Sequence, residues 1–468
     1  GRLSVWGRGG DGGDAGNGGA GGLFSNLPGT DQLPYMIPTT SGVTLQALLS
    51  VGDTVTRTST SASDGYRLTG SPDGMGAYID EEGLIHVFLN HEFGDGRSKL
   101  IETIPVIGAP PIKGAYVSEL ILNPFDANVI SGDLAFDQAK QWDPTTGTFI
   151  DRTAQWRDPN TDLWKFAKFC AGFLAGPESG LSDRIYFTGE EDSGADPTFD
   201  TLGGQTVVVA DGIAYALPQM GHFQRENAVV IPTADAGKTY VLIPEDKGTL
   251  DSQLYLWAGT KVPDDPNPIV RNGLTNGELY VFRALNRAVE GEGQFGMGDG
   301  TLRGEWVLIP QEEALKTEAD LERYVQSINA FDFVRVEDVA TSRTEAGVVY
   351  FTTTGNGTAA TSPNVYGRVY EMRLDDPVNP LAGAGLTAII QAKNLYEPVI
   401  QPDNIAIDLQ GNLTIQENIN RESRGQGPFT TGEGRIWSYN TSTGAITELA
   451  ELSQLPASPI WTTVAPPH

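Results

Sequence analysis

Short β-type runs recur along this chain, and four of them end in a cluster of acid or amide side chains. These are Val87-Phe88-Leu89-Asn90-His91-Glu92, Ile185-Tyr186-Phe187-Thr188-Gly189-Glu190-Glu191, Tyr240-Val241-Leu242-Ile243-Pro244-Glu245-Asp246 and Leu413-Thr414-Ile415-Gln416-Glu417-Asn418. A fifth, Val349-Tyr350-Phe351-Thr352-Thr353-Thr354-Gly355-Asn356, ends in hydroxyl and amide. One such run is an ordinary strand leading into a polar loop. Several predict a cyclic β fold in which the same end of each repeat faces a common axis. Carboxylates gathered there repel one another unless a cation sits among them. The pattern therefore predicts a hard-metal site at the mouth of a closed β structure.

From about residue 65 onward, runs that alternate or are rich in β-branched and aromatic residues are punctuated by Gly, Pro, Asn and Asp. Residues 115–122, 204–210, 278–283, 347–353, 367–372 and 435–439 read as strands in this way. Only residues 311–328 read as a helix, with Leu315, Leu321, Tyr324 and Val325 roughly on one face. Many short strands with so little helix predict an all-β architecture. No repeat of fixed length is present, which excludes a WD-type array and leaves an irregular β-propeller with insertions. Residues 4–22 are of low complexity and have the composition of a flexible linker. The expected division is a Gly-rich arm and leading segment over 1–64, then a single propeller over 65–468. An arm of this kind is expected to lie along its own domain or to engage a neighbouring subunit, which points to self-assembly.

Composition narrows the function. Sixty acids against 31 bases give a formal net charge of −29. Nucleic-acid binding relies on Lys and Arg neutralising phosphates, so that partner is excluded. An acid surplus fits cation loading or solubility in an extracellular setting. No apolar run approaches the roughly 18 residues that suggest a membrane span. The first residue is not Met, which fits processing, and export is the expectation.

The candidate chemistry is spread along the chain. The single cysteine, Cys170, rules out an intramolecular disulfide. It reads as a buried small apolar residue, a ligand or a reactive group. Arg335 and Glu337 are two apart and share a face of a strand, either as a salt bridge or as an anion-holding cation beside a metal. Asp403 and Asn404 precede a β run as turn formers or as oxygen ligands of Ca²⁺. Glu226 opens the apolar run 228–231. Four histidines (86, 91, 222 and 468) are too few for a His-rich zinc site, which favours oxygen-ligated Ca²⁺ or Fe³⁺. No GxSxG elbow, Walker loop or HExxH motif occurs, and Gly291-Glu292-Gly293-Gln294-Phe295-Gly296 lacks the strand–helix setting of a dinucleotide loop.

Taken in order, several motifs resemble the PhoX-type alkaline phosphatases, in a divergent branch. They are Asp73-Gly74-Met75, Asn90-His91-Glu92, Cys170-Ala171-Gly172 leading to Gly189-Glu190-Glu191, and Arg225-Glu226. Arg335-Val336-Glu337-Asp338, Tyr350-Phe351, Gly367-Arg368-Val369-Tyr370 and Pro402-Asp403-Asn404 follow. The resemblance runs from about residue 65 to 440. It implies a six-bladed β-propeller, exported in bacteria, whose Ca²⁺ and Fe³⁺ cluster hydrolyses a small phosphomonoester substrate, with a cysteine among the iron ligands. Carried onto this chain it implies metal ligation by Cys170, Glu191, Glu226, Glu337 and Asp403, with Asn90 and Glu92 as further ligands. Arg335 would be the catalytic clamp on the phosphoryl oxygens. The chain departs from the family between Phe173 and Asp183 and carries Arg225-Glu226 where the phosphatases tend to have His-Glu. Two alternatives follow from these departures: a calcium-stabilised surface-assembly propeller without catalytic activity, and a calcium-dependent esterase or lactonase.

Overall fold

Every one of the five runs with a polar end forms the second strand of an antiparallel meander. The computed structural model describes residues 30, 36–58, 65–94, 102–192, 199–248, 250–357, 361–394, 396–418 and 434–452. The Gly-rich stretch of the expected arm lies outside these residues.

Five meanders, or blades, succeed one another along the described chain. Their innermost strands are Pro72–Ile79, Phe173–Ala175, Val229–Ile231, Val336–Thr341 and Pro402–Ile407. The second strands are Ile85–His91, Ile185–Gly189, Lys238–Pro244, Val348–Thr353 and Asn412–Glu417. The blades are numbered I to V in that order. Successive innermost strands are neighbours from I to V, and Asn404 of blade V reaches Asp73 of blade I at 3.5 Å. The described residues thus hold five blades, with blade V beside blade I.

Burial explains why the strands read as they do. In the third strand of blade II, Val207 and Val209 face blade I beside Tyr116 and Val117, whereas Val208 faces blade III beside Val241 and Tyr255. Both faces are covered, so these strands are continuously apolar instead of alternating. Similar layers join III to IV through Leu242 and Phe351, and IV to V through Tyr350 and Ile415. Blades III and IV also merge at their rims, where Leu302–Ile309 pairs with Ala384–Gln391.

One segment differs from expectation. The helix expected over 311–328 is two pieces, Gln311–Ala314 and Glu318–Ser327. Thr317 breaks it by capping the second piece, its side chain accepting from the Asp320 amide, a local bond that competes with helix continuation. The leading segment lies along the blades. Met36–Pro38 pairs with Ile446–Leu452 on the rim of blade V, and Thr54–Arg57 pairs in parallel with Val129–Leu134 of blade I.

Blades I and II approach so closely at the axis that a Cβ on Gly74 would lie 2.1 Å from the Gly172 amide nitrogen and 2.3 Å from the Ala171 carbonyl carbon. Backbone cannot yield as a flexible side chain does. Gly74→Ala is expected to destabilise the fold by about 3 kcal/mol, the upper range for overpacking. Gly70→Ala, where a Cβ would meet only Phe93 at 3.9 Å, should stay within about 1 kcal/mol of wild type. Urea unfolding of the two variants checks the difference.

Candidate functional site

The same irregularity opens the inner strand of all five blades. In blade I, Pro72 pairs with His91 and Met75 with Leu89, so three steps on the inner strand match two on its neighbour. Val336 to Val339 against Thr353 to Phe351, and Pro402 to Ile405 against Glu417 to Ile415, repeat the count. In blade II the bridges Phe169–Glu190 and Phe173–Phe187 set four steps against three. In blade III, Arg225–Glu245 and Val229–Leu242 do the same. Each is a β-bulge of one extra residue, a device that bends a strand and re-aims a side chain.

The residue just after the last bridged position is Asp73, Cys170, Glu226, Glu337 or Asp403 in blades I to V. One residue beyond the paired position on the second strand stand Glu92, Glu191, Asp246, Thr354 and Asn418. Just before the bridged position, Ser71, Lys168, Arg335 and Gln401 all take positive φ, between 46° and 60°. Non-glycine residues rarely adopt that conformation, and its recurrence marks a constrained site. Bulge backbones also lock to one another. Gly74 donates to the Cys170 carbonyl at 2.9 Å, the Ala171 amide donates to Glu226 Oε1 at 3.2 Å, and the Ile405 amide donates to Asp338 Oδ2 at 3.2 Å.

The result is a chain of three potential ligand groups: Asp73, Glu92 and Cys170; Cys170, Glu191 and Glu226; and Glu226, Glu337 and Asp403. Within each group the ligand atoms lie within 4.8 Å of one another. Cys170 and Glu226 are each shared by two groups. Glu191 Oε2 and Glu226 Oε2 are buried with no hydrogen-bond partner, an arrangement that costs free energy unless a cation satisfies them. Cys170 belongs to none of the hydrophobic clusters of the described residues. Its Sγ lies 3.7 Å from Asp73 Oδ2.

Electrostatics show how unfavourable the group is alone. Burial, then Glu337, Glu191, Asp403 and Asp73, pushes the Glu226 carboxyl well above the ordinary carboxylate range. Glu337 is raised by burial and Asp246, and Glu191 is pushed up to about 7 by burial despite Lys168. Burial followed by Asp73 and Glu226 pushes the Cys170 thiol up. Two cations temper the ring. Lys168 Nζ contacts Glu191 Oε1 and lies 3.9 Å from Glu92 Oε1. Arg335 forks onto Asp246, with Nε and Nη2 donating at 2.8–3.2 Å, and reaches Glu337 at 3.2 Å.

Six of the expected site residues, Cys170, Glu191, Glu226, Glu337, Asp403 and Glu92, therefore converge, with Arg335 beside them. Asn90 is the exception. Its amide nitrogen donates to the Cys170 and Ala171 carbonyls at 2.7 and 3.0 Å and to Thr188, and its oxygen accepts from Tyr186. Asn90 thus holds the cysteine bulge from behind instead of joining the ligand groups. Asp73, Asp246 and Lys168 were not anticipated as members. Their one sequence signal is position, Asp73 and Asp246 at the equivalents of anticipated ligands and Lys168 two residues before Cys170. Asp338, pushed up to about 7 by burial, accepts from Asn227 at 2.7 Å and ties blade III to IV.

A pH dependence follows. A carboxyl whose folded pKa is raised, such as Glu191 from 4.5 to about 7, stabilises the fold fully below its unfolded pKa. That contribution is lost as pH rises through the folded value. His91, depressed by burial to about 4, opposes this only up to its unfolded value of 6.5. In EDTA the melting temperature should fall between pH 5 and 8. Added Ca²⁺ should remove most of the fall, as thermal melts at several pH values will show.

Comparison with known proteins agrees with the fold. In the solved structure of Pseudomonas fluorescens PhoX in complex with vanadate, a transition state analogue, the fold matches with a TM-score of 0.59 at 16% identity, over 87% of this chain and 85% of that one. A Penicillium chrysogenum alpha-L-arabinanase complexed with arabinobiose aligns over 81% and 80% of the two chains at 10% identity, with a TM-score of only 0.37. No curated protein sequence matches significantly. The family described as alkaline phosphatase PhoX matches residues 213–457, which hold the second half of the ring of acids, and the chain belongs to that family.

Proposed function

We propose that this protein is an exported, metal-dependent phosphomonoester hydrolase whose centre is the ring of bulge residues. The observation that carries the reading is the run of three ligand groups joined through Cys170 and Glu226, with buried, partnerless oxygens on Glu191 and Glu226. Carboxylates that are raised by burial and by mutual repulsion when alone are the donors that hard cations select.

The donor set fits two kinds of ion. Glu226, Glu337 and Asp403 offer only oxygen and suit Ca²⁺, whereas the groups containing Cys170 add a thiolate that suits iron. When bound, the ions supply Lewis acidity at the phosphoryl oxygens and lower the pKa of water at moderate pH. The protein supplies position and charge. Asp246 and Glu337 hold the Arg335 guanidinium through Nε and Nη2, and among the described residues Nη1 makes no hydrogen bond. A planar cation fixed in this way is suited to donate from Nη1 to phosphoryl oxygens and to stabilise charge that grows during transfer. Its side chain keeps 20% of its surface exposed, enough for an anion to reach it from the mouth. Asn90 and Gly74 hold the Cys170 carbonyl from the other side and fix the thiol's direction.

A small aryl phosphate should be hydrolysed by the purified protein, with activity abolished by EDTA and restored by Ca²⁺. Elemental analysis should find iron with calcium, and Cys170→Ser should lose the iron. Calcium alone, with no phosphoester turnover, would support a structural propeller instead. Arg335→Lys keeps the charge and loses the fork, so kcat should fall about 10²-fold while the melting temperature in Ca²⁺ moves by only a few degrees. A variant that melts far lower and turns over normally would make Arg335 a structural ion pair.

A further inference from the structure

We propose that the Lys168 ammonium is a built-in cation of the centre, taking the place of a metal ion between Glu92 and Glu191. The inference rests on the metal-binding reading above and concerns how many ions the ring accepts.

Lys168 Nζ contacts Glu191 Oε1 and stands 3.9 Å from Glu92 Oε1. Those two acids belong to different ligand groups, the first and the second, which meet at Cys170. One ammonium therefore draws on one acid from each group, at the join between them. A divalent ion bridging Glu92 and Glu191 would have to displace the ammonium, because like charges at such range repel by several kcal/mol even at an effective dielectric near 20.

The backbone shows that this placement is held and not incidental. Lys168 has φ of 49°, a conformation that disfavours a long side chain. It is clamped from both sides: its amide donates to the Phe93 carbonyl at 2.9 Å, and its carbonyl accepts from the Glu191 amide at 3.1 Å. Phe93 follows Glu92, so these bonds fix the root of the lysine beside both of its acids. The equivalent positions of blades I, IV and V carry Ser71, Arg335 and Gln401 with the same backbone. Arg335 likewise pairs with acids, Asp246 and Glu337. Blades II and IV thus each contribute a fixed cation, and blades I and V contribute none at that position. A covalently attached charge cannot be chelated, so part of the ring stays neutralised when metal is removed.

The test compares metal content and stability in wild type, Lys168→Asn, Lys168→Gly and Lys168→Arg. Asparagine and glycine both tolerate the left-handed backbone, so a folding failure caused by strain is avoided, and either variant alone suffices. Each protein is stripped with EDTA and dialysed against CaCl₂ or against CaCl₂ with Fe³⁺, and total metal per chain is measured. The neutral variants should bind one more ion per chain than wild type, and Lys168→Arg should bind the same number as wild type. In EDTA the neutral variants should melt below wild type, and Ca²⁺ should raise them by a larger increment. Folding of a neutral variant only when Ca²⁺ is present would support the proposal equally. Equal or lower metal content in both neutral variants would overturn it. Wild type free of any metal would end the reading of the centre as a metallophosphatase, whereas the difference between wild type and the neutral variants still decides the role of the lysine.

Discussion

Repulsion among buried acids at the centre of the ring is the constraint to which the rest of the structure answers. Glu226 alone feels Glu337, Glu191, Asp403 and Asp73, on top of the cost of its own burial. Hydrophobic layers between blades supply the driving force for folding, and the layers that join blades II, III and IV are built from fully buried strands. Those layers force the strand ends together. The ends carry carboxylates, so the favourable and unfavourable terms are produced by the same packing.

The bulges make that packing usable. A regular strand alternates its side chains, and a pairing register without the extra residue would turn each inner-strand ligand to the other face. One inserted residue per blade, at the same place in all five, breaks the alternation once and aims Asp73, Cys170, Glu226, Glu337 and Asp403 at a common point. Polar groups that the bulges free from the ladder are met by the adjacent blade, as when Gly74 donates to the Cys170 carbonyl and Thr352 donates to the Asp403 carbonyl at 2.6 Å. Blade-to-blade bonding and ligand placement are therefore one arrangement. A second ring of acids works behind the first. Glu190 accepts from the Ala167, Phe199 and Gln205 amides, and Glu417 accepts from the Ile400 and Arg435 amides and the Trp437 indole. These carboxylates brace the loops from which the ligands project. Adjacent acids in sequence, Glu190 and Glu191 or Glu245 and Asp246, thus have opposite tasks, one structural and one facing the centre.

Much of this was legible in the chain. Apolar runs ending in acids at 92, 191 and 246, an amide at 418 and a hydroxyl at 354 are the second strands, because a strand that enters a shared polar site must change character at its end. Glu226, Glu337 and Asp403 were legible through the order of short motifs, and Cys170 through being the sole thiol. The helix boundary at Thr317 was not. A local cap leaves the same periodicity whether or not the element continues through it.

Sequence by itself determined which residues have the chemistry, since the identity and spacing of acids, thiol and arginine are fixed before folding. Only the tertiary structure decided which of them face the centre. Asn90 and Glu92 are two residues apart, yet the first turns back to the cysteine bulge and the second faces Lys168. Asp73 precedes a glycine and reads as a turn, yet it stands beside Cys170. The reason is that orientation depends on a one-residue register shift between strands that are far apart in sequence. A bulge has no composition of its own: it exists only once two strands are paired.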